Sequence, residues 1–291
     1  MKLDMPCDPC HSSLNDYSHF RSADALLTEQ TAMSSQKKKI ALVTGVSRQA
    51  GIGAAIVRQL AQAGTDIFIT YFRPYDRETR LARDPNEPQQ LLEELRSGGC
   101  RAEGLELDLA KEDSIASLFE EAELRLGHVS ILVNNACYSM PDGIKQLTAK
   151  ILDRHYVINL RATALVCAEF VHRYTQHRSK HSYGRIINLS SGQGVGPMPG
   201  ELAYAATKGA VEAFSVSLSA EIAPLGITVN AVDPGITDTG WIPADLKAKW
   251  EAESPMGRIG TPSDAAHLIR FLASADSGWI TGQLLHSRGG L

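Results

Sequence analysis

The chain has 291 residues, 43% hydrophobic and 21% charged, the composition of a globular protein long enough for one large α/β domain. Its net charge of −4 argues against nucleic acid or an anionic membrane as a partner. No apolar run approaches the ~20 residues of a membrane span, and the five cysteines form no disulfide framework, so a reduced, cytoplasmic protein is expected.

Residues 1–36 are polar and irregular, and read as a disordered extension ahead of one domain over residues 37–291. Within the extension, Cys7-Asp-Pro-Cys10-His11 has the spacing of a c-type haem attachment site. No export signal and no second ligand pair accompany it, so the match is read as accidental and no metal is expected. Met33, just ahead of the first strand, is a candidate natural start.

Ile40 to Thr44 reads as a buried strand, the run from Gly45 to Gly53 as a glycine turn, and Ala54 to Ala63 as a helix. A strand, a glycine turn and a helix N-terminus together form a phosphate cradle. Backbone N–H groups approach the pyrophosphate and the helix dipole favours its charge. Gly45, Ser47, Arg48, Gly51, Ile52 and Gly53 are the candidate residues of this turn. Asp66 to Tyr71 is the second strand. An acid at its end would bind the ribose 2′-hydroxyl of NAD; here no acid precedes Asp76, and Arg73 with Arg48 would pair with the 2′-phosphate of NADP. The plainer reading of either arginine is a solvated surface charge. Pro74 to Pro88 reads as an inserted loop before a helix over Gln89 to Arg96.

Arg101 to Leu107 is the third strand, followed by Asp108-Leu109, and Asp113 to Leu126 is an amphipathic helix. The fourth strand, from Ile131, exits through Asn135-Ala136-Cys137. A long helix from Thr148 to Tyr174 carries Asn159 inside an apolar run, where a buried amide must find partners. Arg185 to Leu189 is a strand ending at Ser190-Ser191. A Gly- and Pro-rich loop leads to a helix that begins at Tyr204 and stops at Pro224-Leu225-Gly226. Another strand from Ile227 ends at Pro234-Gly235, with Thr237 and Thr239 beyond, and Ser263 to Ala273 and Ile280 to Leu285 read as the last helix and strand. The alternation yields a single doubly wound parallel seven-stranded sheet of Rossmann type.

Tyr204 and Lys208 are four residues apart and share a helix face. A free phenol has a pKa of ~10, and lowering it by ~3 units needs about 4 kcal/mol, which an ammonium one turn away in a dry site would largely supply. Tyr-x-x-x-Lys alone is weak, and the bland reading is a surface pair on an ordinary helix. With Ser191 thirteen residues earlier, the glycine turn and the strand order, the sequence resembles the short-chain dehydrogenase/reductase family over about Lys37 to Gly290.

The resemblance implies roles. Asn159, Ser191, Tyr204 and Lys208 would be catalytic: Tyr204 gives the proton, Ser191 holds the carbonyl oxygen, Lys208 binds ribose and lowers the Tyr204 pKa, and Asn159 anchors a water. Asp108 and Leu109 would meet adenine, Asn135 and Ala136 the cofactor beside the fourth strand, and Pro234, Gly235, Thr237 and Thr239 the nicotinamide amide. Three departures stand out. The glycine turn is two residues longer than the family's, Cys137 replaces a glycine beside the nicotinamide, and Arg288 stands where an acid is common. Trp241 to Met256 would form a flap over the substrate. The implied activity is NADP(H)-dependent interconversion of a carbonyl and a secondary alcohol, with NAD(H) the less favoured cofactor.

The general pattern is nearest to 3-oxoacyl-[acyl-carrier-protein] reductases, with a broad-specificity ketone or sugar dehydrogenase as the alternative and a non-catalytic nucleotide sensor as the alternative of another class. Arg173, Arg178, Lys180 and Arg185, among His172, His177 and His181, form a basic cluster that would dock an acidic carrier protein at the pocket mouth. Leu225, however, stands where those reductases commonly have a basic residue. The small face Ala205, Ala206, Gly209, Ala210 and Ala213 suits pairing of helices in a homodimer or homotetramer.

Overall fold

Seven parallel strands lie in the order β3-β2-β1-β4-β5-β6-β7, in a computed structural model that describes residues 38–81, 84–177 and 183–290. The expected extension, the Cys7–His11 motif and Met33 lie outside the described residues. The strands are β1 (Ile40–Val43), β2 (Asp66–Tyr71), β3 (Ala102–Glu106), β4 (Ile131–Asn134), β5 (Gly184–Leu189), β6 (Ile227–Asp233) and β7 (Leu284–His286). The helices are α1 (Ile52–Gln62), α2 (Arg73–Thr79), α3 (Glu87–Ser97), α4 (Asp113–Arg125), α5 (Ala149–His155), α6 (Thr163–His177), α7 (Leu202–Ile222), α8 (Ala244–Glu253) and α9 (Pro262–Leu272).

Alternation along β1 divides the core. Ala41 and Val43 face a layer built from α1, α3 and α9. Ile40 and Leu42 face a second layer built from α4, α6 and α7. Both faces of the sheet are therefore covered, which is why the inner strands read as continuous apolar runs. β1 pairs with β2 on one side and β4 on the other. The chain reverses its winding there, and the crevice at the carboxyl ends of these strands is the place where a doubly wound sheet binds ligands.

Four expectations need correction. The stretch between β2 and α3 is not an open loop, since it contains α2. The long helix is interrupted by a π-helical segment, Tyr156–Ala162, between α5 and α6. The last strand begins at Leu284, not Ile280, because Gly282 takes a φ of +69° and the preceding residues turn to pair with β6 through Gly282 N–H and the Val229 carbonyl. Finally, Arg185 is not a surface charge. It is 3% exposed at the start of β5, under the Tyr183 ring and bonded to the Ser274 carbonyl. Ser191 and Tyr204 follow the other end of that strand, so Arg185 belongs to the end of the strands remote from the site.

α9 braces α1, and its own N-terminus is closed by a capping box. The Thr261 side chain accepts from the backbone of Asp264, whose carboxylate accepts from the Thr261 N–H at 2.7 Å. The Arg258 guanidinium, first, and the Thr261 groups hold the Asp264 carboxyl well below the usual carboxylate range. A folded pKa below the unfolded one means stability present above the unfolded value and lost as pH falls through the folded one. Asp264→Ala is therefore expected to cost about 1 kcal/mol near neutral pH. In urea titrations the gap from wild type should narrow below pH ~3.9; a gap independent of pH would contradict the capping account.

Candidate active site

β5 delivers Ser190 and Ser191 to the crevice. Ser190 turns away, donating to Glu212 Oε1 at 2.5 Å. Ser191 instead lies beside the Tyr204 hydroxyl and acts to lower the pKa of that phenol. Lys208, one turn along α7 and 3% exposed, donates from Nζ to the Leu189 carbonyl at 2.7 Å. Its ammonium lies 5.6 Å from the centre of the Tyr204 ring. The serine, tyrosine and lysine are thus brought together at the end of β5.

Asn159 sits in the π-helical segment, where an extra residue in the turn re-aims side chains. Its amide is fully used. Oδ1 accepts from Tyr138 N at 2.7 Å, and Nδ2 donates to the Tyr138 carbonyl at 2.9 Å and Thr207 Oγ1 at 3.0 Å. Asn159 therefore ties the segment after β4 to α7, one residue before Lys208.

Sequence reasoning missed Asp142. Its carboxylate accepts from Leu202 N at 2.5 Å and Ala203 N at 3.0 Å, capping the helix that carries Tyr204 and Lys208. Glu201, at the N-cap position, makes no such bond. The cap comes from 60 residues away, so no local pattern could signal it.

Burial opposes the expected lowering of the Tyr204 pKa. Burial, the largest effect, pushes the Tyr204 phenol above its ordinary value and outweighs the influence of Ser191, which acts the other way. Burial likewise pushes the Lys208 ammonium down. Lys208 Nζ donates to the Leu189 carbonyl, and the raised phenol pKa favours Tyr204 in its neutral form, the form that donates a proton.

The glycine turn fits a dinucleotide. Gly45 has φ +72°, and a Cβ there would lie 2.5 Å from Ala136 Cα, so only glycine lets the turn meet the exit of β4. Gly51 opens α1 without a side-chain cap, and the first turn from Ile52 and Gly53 holds no acid, the electrostatic setting that a phosphate favours at a helix N-terminus. Asn135 braces the turn, donating to the Thr44 and Gly45 carbonyls at 2.9 Å each. The Asn135 and Ala136 amides both donate to Thr44 Oγ1. On the far wall, Gly235 has φ +68° and Thr237 Oγ1 donates to the Pro234 carbonyl. Cys137 avoids positive φ, since Arg80 is the one non-glycine with such a φ among the described residues.

At the adenosine end the arrangement is less open than expected. The Arg73 guanidinium forms two bonds with Glu106 at the end of β3, so in this structure it faces a carboxylate. Arg48 Nη1 donates across the crevice to the Thr239 carbonyl at 2.9 Å. Asp76 is buried in α2; burial pushes its pKa up, and the neighbouring Ser47 acts the other way. Asp108 Oδ1 accepts from Ala110 N as an ordinary turn, with Leu109 buried beside it. Arg288, left without a role by the sequence, donates to the buried Asp233 at 3.0 Å and packs over Gly192. It thereby joins the loop after Ser191 to the turn after β6. The expected flap contains α8, and Trp241 Nε1 anchors its entrance on the Thr237 carbonyl.

Among the described residues, Arg173 and Arg185 do not form a basic cluster at the crevice. Arg173 is enclosed by Glu120, Glu123 and Glu169, Arg185 is buried as described, and Arg178, Lys180 and His181 lie outside the described residues. Glu123, His128 and His177 bring possible ligand atoms within 4.8 Å of one another, but Arg173 already pairs with Glu123 at 2.8 Å and opposes a cation there.

Residues 45–291 match the family model described as Enoyl-(Acyl carrier protein) reductase. The uncharacterized oxidoreductase YjdA of Bacillus subtilis is 47% identical over 258 residues, covering 89% of this chain and 98% of its own length. The 3-oxoacyl-[acyl-carrier-protein] reductase FabG of Aquifex aeolicus is 32% identical, covering 87% and 97%. Among solved structures, a blue fluorescent protein from a metagenomic library in complex with NADPH superposes with TM-score 0.75 at 33% identity, covering 87% of this chain and 97% of that one. A short-chain dehydrogenase/reductase from Serratia marcescens does so with TM-score 0.75 at 28% identity, covering 87% and 97%.

Two outcomes follow from the geometry. Asp142→Ala should remove the cap of α7 and cost about 1–2 kcal/mol of stability, measured by urea unfolding; a change under a few tenths would contradict the cap. In the cofactor-free protein, wild type minus Tyr204→Phe should show no tyrosinate absorbance below pH ~10. A difference signal rising near neutral pH would mean that Lys208, not burial, governs the phenol.

Proposed function

The chain belongs to the short-chain dehydrogenase/reductase family, and from that premise we propose that it is an NADP(H)-dependent oxidoreductase interconverting a carbonyl and a secondary alcohol. The observation that carries the reading is the convergence of Ser191, Tyr204 and Lys208 at the end of β5, with Asn159 bracing α7 beside them. All four matching positions are present, which favours turnover over a nucleotide sensor.

When bound, the nicotinamide cofactor supplies or accepts the hydride. Gly45, Ser47, Gly51, Ile52 and Gly53 would hold its pyrophosphate, and Pro234, Gly235, Thr237 and Thr239 its amide end. Asp108 and Leu109 would border adenine, with Asn135 and Ala136 setting the floor between them. Ser191 holds the substrate oxygen by hydrogen bond, and Tyr204, kept neutral by burial, gives that oxygen its proton during reduction. Lys208 would bind the ribose hydroxyls, and Asn159 would keep α7 in register. The preference for NADP(H) is supported by Arg48 and Arg73 at the adenosine end and by the NADPH-bound relative. Arg73 would exchange Glu106 for the 2′-phosphate. NAD(H) remains a second reading, favoured by Asp76 beside Ser47.

The substrate we propose is a small or medium 3-oxoacyl thioester, supported by the FabG relatives, with a free ketone or sugar as the alternative. Docking of an acyl carrier protein gets no support from the Arg173 and Arg185 environments. The exposed Val216 and the small residues early in α7 support a homodimer or homotetramer, and the setting proposed is cytoplasmic, with the domain over residues 37–291.

The test is oxidation of NADPH and NADH with acetoacetyl-CoA, an acetoacetyl carrier protein, crotonyl-CoA, simple ketones and sugars. Reduction of a 3-oxoacyl thioester, faster in kcat/KM with NADPH, is expected. Tyr204→Phe should lower kcat by about 10²-fold or more while NADPH binding is kept. Inert thioesters beside an active ketone or sugar would overturn the acyl reading, and a higher kcat/KM with NADH would overturn the cofactor preference.

A further inference from the structure

Between β2 and α3 the sequence suggested a variable loop, yet α2 there touches three parts of the crevice. Phe72, just ahead of it, donates its N–H to Ser47 of the glycine turn, and Asp76 lies beside the same serine. Glu78 pairs with Arg154 of α5 through two bonds of 3.2 and 3.1 Å. Tyr75 reaches the segment after β4, and its hydroxyl lies 3.2 Å from both Ser139 N and the Ser139 carbonyl oxygen. One phenol thus accepts from the donor and donates to the acceptor of a single residue.

The 137–142 segment has four anchors. Asn159 holds the Tyr138 peptide, Tyr75 holds Ser139, His155 Nε2 accepts from Met140 N at 3.3 Å, and Asp142 caps α7. Aromatic packing repeats the connection: the Tyr75 and Tyr138 ring centres are 5.5 Å apart, and the Arg154 guanidinium covers Tyr138 at 4.7 Å. Three anchors join the segment to the helices that form the back of the site. Tyr75 alone among these four comes from the insertion, on the opposite side.

We infer that Tyr75 is a positioning residue for the carbonyl site, its hydroxyl fixing Ser139 and so the wall that the 137–142 segment presents to substrate. This rests on the reductase reading above. Tyr75 does not take part in proton transfer; it acts through Ser139.

Tyr75→Phe removes the hydroxyl and keeps the ring on Tyr138. In the full-length protein, hydrogen exchange at the Ser139 amide should quicken by about tenfold, the loss of one hydrogen bond. With the best carbonyl substrate, KM should rise by about tenfold, while the NADPH dissociation constant and the pH profile of kcat stay within about twofold of wild type. Glu78→Gln should move KM the same way but only about twofold, since an exposed pair is weak. Unchanged exchange at Ser139 or unchanged KM in Tyr75→Phe would overturn the inference. So would weakened NADPH binding with KM intact, which would make α2 a cofactor strap, or faster exchange throughout the protein with a lowered Tm, which would make Tyr75 merely structural. The exchange readout is independent of turnover: a chain that reduces no carbonyl compound but responds at Ser139 keeps the clamp and loses the reductase reading.

Discussion

The site depends on one bond in the protein interior, from the Lys208 ammonium to the Leu189 carbonyl. A charge buried without partners would cost several kcal/mol or lose its proton. Here the end of β5 supplies the acceptor, since Leu189 is the last residue before the strand gives way to the two serines. That bond sets the register of α7 against β5. Once the register is set, Tyr204, one turn before Lys208, comes to lie against Ser191. The sheet fixes one end of the catalytic group and the helix the other.

The remaining polar contacts hold that helix. Asp142 caps it from the loop after β4, and Asn159 reaches it through Thr207 from a widened helical turn. Both use backbone or side-chain groups that would otherwise be buried without partners. Such networks are costly when incomplete and rigid when satisfied. The rigidity serves a proton donor that must meet a substrate oxygen at hydrogen-bond distance.

Much of this was legible in the sequence because it rests on local chemistry. The apolar strand runs, the glycine turn and the four-residue spacing of Tyr204 and Lys208 each follow from short-range rules. What escaped depends on distance in space. Asp142 caps a helix 60 residues later, and Arg288 finds Asp233 across 55 residues. Tyr75 lies in a stretch whose prolines and charges suggested a loop, though Pro74 at the start of a helix is compatible with one. Arg185 misled because its charge was visible and its burial was not; stacking on Tyr183 and bonds to carbonyls satisfy it inside. The pKa of Tyr204 misled for the same reason. Spacing identified the ammonium, but burial of both groups decided the sign.

The most direct measurement is a crystal structure of the chain with NADPH and an unreactive alcohol or ketone analogue. The account predicts the ligand oxygen within about 2.6–3.2 Å of both the Tyr204 and Ser191 hydroxyls, with Lys208 Nζ on the nicotinamide ribose. A ligand oxygen held by other groups, with the Tyr204 and Ser191 hydroxyls beyond hydrogen-bond distance of it, would contradict it.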